Sequence, residues 1–194
     1  MRAVCFAITA LVIFYQCSSQ EILHGPGVMA PAEPRQQRLA NAEPFEWQGY
    51  RVQPLAIFDI EARVLSKERY RIGREAELAP VDLALGWGPM SDESVLKDIR
   101  ISQSGRFYHW RADRLPIPVG AISAHSANMH LIPATDAVDR ALKREIRKGS
   151  IVHFSGYLVS ISADDGWRWR SSLTRKDRGN GACELVWVEQ IRVL

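Results

Sequence analysis

Cysteine is scarce in this 194-residue chain: only Cys5, Cys17 and Cys183 occur. The first two fall in an apolar leader, so removal of that leader leaves Cys183 alone and excludes an intramolecular disulfide. The fold must then rest on a hydrophobic core, which roughly 150 residues can supply. Charge of one sign is also lacking. Twenty-five basic against 22 acidic residues give a net +3, too small an excess for the electrostatic footprint of a nucleic-acid binder. No apolar run is long enough to cross a bilayer: Ala3 to Tyr15 is 13 residues, about 20 Å as a helix against roughly 30 Å of hydrocarbon. There is no internal repeat, and Ser171-Ser172 lacks the glycine elbow of a serine hydrolase.

What is present begins with an export signal. Arg2 supplies a positive start, Ala3 to Tyr15 the apolar centre, and Cys17 and Ser19 the small residues read at a cleavage point. Residues 1–19 therefore read as a signal peptide that places the protein outside the cytoplasm, in a periplasm. Bulky Phe14, Tyr15 and Gln16 near the cleavage point keep two rivals open: an uncleaved anchor in the cytoplasmic membrane with the domain facing outward, and a lipoprotein acceptor at Cys17.

Residues 20–44 hold Pro26, Pro31, Pro34 and Pro44 without an apolar period and read as a linker or loosely docked arm. Residues 45–194 are expected to form one globular domain of α+β class, mainly antiparallel β with one clear surface helix. A small barrel resembling the OB-fold and a meander sheet are the two arrangements considered. Two strands are expected from Phe45 to Leu65, the second longer. Ala79 to Met90, with Pro80, Asp82, Gly86, Gly88 and Pro89, suits neither a continuous helix nor a central strand. A short helix is expected from Ser91–Glu93 to Ile99, then a strand from Arg106 to Arg111 on which Trp47 and Trp87 could pack. The helix runs from about Asp136 to Lys148 with Gly149 as its left-handed stop and Val138, Ala141, Leu142 and Ile146 as its apolar stripe. Three antiparallel strands follow from Ile151.

Polar residues that could carry chemistry are few. His125, Asn128 and His130 precede the helix, but a spacing of five turns two imidazoles about 140° apart on a helix and onto opposite faces of a strand. Neither a metal site nor a cofactor is expected. Cys183, Asp82, His125 and His130 are the weak catalytic candidates, since a thiol needs a base or a lowered pKa to react. Around Gly166–Gly179, two-residue alternation puts Trp167 and Trp169 opposite Arg168 and Arg170. Arg168, Arg170 and Arg175 could then form a polyanion- or glycan-binding face. Trp87, in a glycine-flanked bend, and Asn128 complete the binding candidates.

Together, the segments Ala79–Met90, His125–Ala134 and Gly166–Glu184 resemble an uncharacterised bacterial family of small proteins with an export leader. The resemblance implies no activity, cofactor or catalytic residue. The reading that results is a non-enzymatic exported or membrane-associated module that binds an envelope protein or polymer, with membrane contact only through an uncleaved leader. An envelope hydrolase and a polyanion or glycan binder are the alternatives.

Overall fold

The computed structural model describes residues 21–174 and 183–194. Its longest strand starts at a tight turn. Gln48 and Gly49 both take positive φ, 51° and 80°, the backbone twist that suits a two-residue hairpin. They join β2 (Phe45–Trp47) to β3 (Tyr50–Arg69), a short strand and a much longer one, as expected. At about 3.3 Å per residue, β3 is too long for a single neighbour along one edge. Arg51–Arg63 pairs with β8 (Ile151–Ser162), and Arg63–Arg69 pairs with β4 (Val81–Gly86). Register shifts after Pro54 and after Val64 let it bend between them.

β4 continues to β7 (Ser126–Pro133), β7 lies parallel to β10 (Glu184–Val193), and β10 is antiparallel to β8. The path β3-β4-β7-β10-β8 therefore returns to β3, and five strands close into a ring. The α+β, mainly antiparallel class is as the sequence indicates. The last three strands differ from the expected order in one respect. β9 (Arg168–Arg170) pairs with Ser160–Ser162, and β10 pairs with the preceding part of β8, so both lie along the same edge of β8. The Ser172 N–H, donating to the Cys183 carbonyl at 3.1 Å, ties the two stretches together.

Ala79 to Met90 corrects the sequence reading, because β4 is a central strand with every residue buried. Its polar Asp82 is tolerated because two other elements bring partners to it. Trp87 is fully buried in the main core and Trp47 packs edge-on to Trp187 at 5.0 Å, so neither is placed on the 106–111 strand as expected. That strand, β6 (Phe107–Arg111), pairs with β5 (Arg100–Ser104) in a separate two-stranded sheet. Tyr108 and Trp110 instead pack beside Met90, Ile99 and Ile122.

Short helices fill the connections: α1 (Arg74–Leu78), α2 (Glu93–Leu96, N-capped by Asp92), α3 (Val119–Ala124) and α4 (Asp136–Arg140). The Thr135 hydroxyl accepts from Val138 N–H and starts α4. The helix continues as one wider turn over Ala141–Glu145 and stops there, earlier than the expected Lys148. Ile146 is extended, and the Lys67 ammonium donates to the carbonyls of Lys143 (3.2 Å) and Ile146 (2.8 Å). Gly149, at φ +87°, serves the next turn instead, where any Cβ would collide with the Ile22 carbonyl.

Two apolar layers enclose the ring's wall. Phe58, Phe154, Leu83, Leu131 and Val186 fill its interior, closed on one side by Val138, Leu142 and Ile146. Outside, Trp187 packs with Phe45, Trp47, Ile132 and Leu185, and Trp167 and Trp169 border the same layer. The segment before β2 lies against the ring: Ile22 N–H donates to Lys148 O, Gly27 N–H to Asp92, and Met29 and Ala30 N–H to the Ser91 hydroxyl. β1 (Arg35–Arg38) adds to β3.

Candidate functional site

The ring brings three of the four catalytic candidates to one region and leaves the fourth elsewhere. Asp82 on β4 and His130 on β7 are direct cross-strand partners. Their neighbours Leu83 and Leu131 point into the ring, so by two-residue alternation both polar side chains lie on its outer wall. There they are covered. The β5–β6 hairpin delivers Arg106, which has φ +70° and donates from one guanidinium nitrogen to Asp82 Oδ1 (2.8 Å) and to the Ala79 carbonyl (2.9 Å). Asp82 Oδ2 lies 2.9 Å from His130 Nδ1, off the line of a good hydrogen bond. The guanidinium also stacks 3.9 Å from the Tyr70 ring and 5.5 Å from Trp169, and Trp169 lies 5.0 Å from the His130 ring.

Asp82 is fully buried and His130 nearly so, while the Arg106 side chain keeps 19% of its exposure. The cluster is an ion pair roofed by aromatic rings, and its carboxylate has no open side for a substrate. Asn128 extends it: Nδ2 donates to the Arg106 carbonyl (3.0 Å), Oδ1 accepts from Gln103 (2.6 Å), and the Cys183 sulfur lies 3.9 Å away. Cys183 thus shares the neighbourhood, but burial pushes its thiol up to about 11. Only a minute thiolate fraction exists near neutral pH, the opposite of an activated nucleophile. Burial likewise raises the Tyr70 phenol, against the opposing effect of the Arg106 N–H that donates to it.

His125 is not part of this group. It ends α3, its Nδ1 lies 2.8 Å from the Ala121 carbonyl, and its ring covers Gly88, where a Cβ would meet the imidazole at 2.8 Å. Its role is to hold the β4–α2 connection. Trp87, a binding candidate, is entirely buried. Among the described residues no group of three or more His, Cys, Asp or Glu is arranged to hold a metal ion.

Arg168 and Arg170 are exposed on β9 while Trp167 and Trp169 are half-buried, as the alternation indicates. Register adds a neighbour that the sequence did not reveal: Arg51 on β3, Ser162 on β8 and Arg168 on β9 stand in one cross-strand row, and Gln53, Ser160 and Arg170 in the next. Arg175 lies outside the described residues. Trp167 meets Tyr50 at 5.9 Å and carries the Arg74 guanidinium over its ring at 5.2 Å.

Sequence reasoning missed Arg106 and Tyr70, which hold the buried cluster, and gave Trp169 no partner. Arg106 follows Gly105 in a turn, and nothing local marks it as the counterion of a residue 24 positions earlier. No protein-family model, no curated protein and no solved structure matches this chain.

Proposed function

We propose that this protein is a non-enzymatic binding module of the cell envelope, exported by its leader and presenting its ring to an envelope polymer or protein. It would work in a periplasm or on the outer side of the cytoplasmic membrane. One observation carries the reading: of the groups that could have served hydrolysis, Asp82, His130 and Cys183 are held in one covered region, and His125 stands apart from them on the Ala121 carbonyl. Asp82 is fully buried between Arg106 and His130, and the nearby Cys183 thiol is pushed up to about 11. A general base needs reach to a proton outside itself, and a nucleophile needs a base or a low pKa. The strand order supports the same direction. A five-stranded ring in which the third and fifth strands run parallel, with the helix between the third and fourth, has the connectivity of the OB barrel, a scaffold used for binding extended chains. That support is analogy at the level of fold.

The test is to incubate the purified protein with isolated cell-wall polymer, then measure both co-sedimentation and soluble products. Saturable co-sedimentation without product release is expected. Product release that disappears in His130→Ala would replace the reading with a hydrolase.

A second reading rests on the rows that place Arg51, Arg168 and Arg170 on one face with two serines between them. Such a face offers three guanidinium groups to a sulfated or phosphorylated polymer. Arg168→Ala with Arg170→Ala should then reduce retention on a heparin column without shifting the thermal transition. Unchanged retention dismisses it.

A further inference from the structure

A cleft of about 550 Å³ opens between the β2–β3 hairpin, α1 and the start of α4. This is within the range of small-molecule sites, about 300–1,000 Å³. Two of its walls are aromatic. Trp47 is held edge-on by Trp187, and Tyr70 is held by the stacked Arg106 guanidinium and by the Arg106 N–H on its hydroxyl. Both rings are therefore fixed before any ligand arrives, which lowers the entropic cost of binding.

The charges around the cleft are balanced, three cationic and three acidic side chains. Asp139 and Lys143 pair with each other at 2.7 Å. Arg69, Arg71, Glu77 and Asp136 are exposed and form no ion pair among the described residues. The cleft thus offers two fixed aromatic side chains beside two guanidinium donors and two carboxylate acceptors. A polyanion gains little from a lining of zero net charge. A pyranose matches it better: its C–H face packs on an aromatic ring, its hydroxyls donate to carboxylates, and its oxygens accept from guanidinium groups.

We propose that this cleft binds an uncharged saccharide, as a unit of an envelope glycan. The assignment rests on the binding-module reading and names its ligand class. It also separates the saccharide site from the arginine face of β9.

The test uses the purified protein and tetra-N-acetylchitotetraose, followed by tryptophan fluorescence and calorimetry. Two double variants change only exposed side chains, Glu77→Ala with Asp136→Ala and Arg69→Ala with Arg71→Ala. Each is expected to weaken binding at least about tenfold, as loss of central polar contacts does, while the thermal transition stays in place. Heparin is expected not to compete. If the tetrasaccharide binds but neither double variant weakens it, the cleft is the wrong site and the binding-module reading stands. If the tetrasaccharide fails to bind while heparin binds, the saccharide class is overturned and the module reading again stands. Cleavage of the tetrasaccharide by the protein overturns both, and so does failure to bind the tetrasaccharide, heparin and cell-wall polymer alike.

Discussion

Replacing Arg106 by Ala isolates the energetics of the sealed cluster. The substitution leaves Asp82, which has no exposure, with only the poorly aligned contact to His130. Removing one partner of a buried ion pair costs about 3–5 kcal/mol, because the remaining charge stays desolvated. The stacking of the guanidinium on Tyr70 and Trp169 is lost as well. The residual 19% exposure of Arg106 lets water approach the vacated position, so the lower end, about 3 kcal/mol, is expected. In a chain of this size roughly 2–4 °C accompanies each kcal/mol, so the thermal midpoint should fall about 6–12 °C. Urea denaturation gives the free energy directly. The companion variant Asp82→Asn with Arg106→Met removes both charges and keeps the volume, and it should recover most of the loss. The reasoning fails if Arg106→Ala costs less than about 1 kcal/mol, or if the double variant is no more stable than the single one.

Three further outcomes follow from the same structure. The Cys183 thiol, raised from 9.0 to about 11, should react with a thiol reagent at pH 8 roughly a hundredfold more slowly than a free cysteine and reach the ordinary rate in urea; equal rates would refute its burial. The Lys67 ammonium is pushed down to about 8, chiefly by burial and secondarily by Arg69. Between about pH 8 and about pH 10.5 the unfolded chain therefore binds more protons than the folded one, and stability should rise across that window, by less than about 3 kcal/mol given the open side of the site. Lys67→Met should abolish that rise, and a parallel profile in the variant would exclude Lys67 as its source. Gly156, paired with Val188 next to the irregularity in β10, has no room for a side chain, since a Cβ there would collide with the Trp187 carbonyl. Gly156→Ala should open the β8–β10 pairing and speed hydrogen exchange of the Val186–Gln190 amides, whereas unchanged protection would show that the strands can part locally without cost.

Local pattern accounts for much of the fold. The Gln48-Gly49 turn, the alternation from Val52 through Val64, the cap at Thr135 and the opposite faces of Trp169 and Arg170 are each written within a few residues. Each uses backbone geometry or a period of two, which neighbouring residues alone can specify. The helix end is different. Its apolar stripe runs on to Ile146, but Lys67 of β3 takes the last carbonyls, so the stop depends on a side chain 76 residues away. Ring closure is similarly remote: β3 needs one edge for β8 and the other for β4, and no sequence window contains both pairings.

The case of β4 shows why the buried cluster and the cleft escaped a reading by motif. Asp82 amid Pro80, Gly86, Gly88 and Pro89 resembles a polar bend, because a lone carboxylate in a fully buried strand would be prohibitively desolvated. It becomes affordable only when Arg106 arrives from a hairpin inserted between β4 and β7, and when His130 stands in register beside it. The same Arg106 then fixes Tyr70, and Tyr70 forms one wall of the cleft. A single long-range ion pair thus accompanies a strand where the sequence reads as a loop, lies with Asp82 and His130 in a covered cluster, and holds the Tyr70 ring at the edge of the cleft. This coupling gives the Arg106→Ala experiment a second readout. If the cleft binds a saccharide through a pre-set Tyr70, Arg106→Ala should weaken tetrasaccharide binding at temperatures where the variant is still folded. Tyr70→Phe, which removes only the hydroxyl that takes the Arg106 N–H, should weaken it less. Equal binding by wild type and a folded Arg106→Ala variant would separate the buried lock from the cleft.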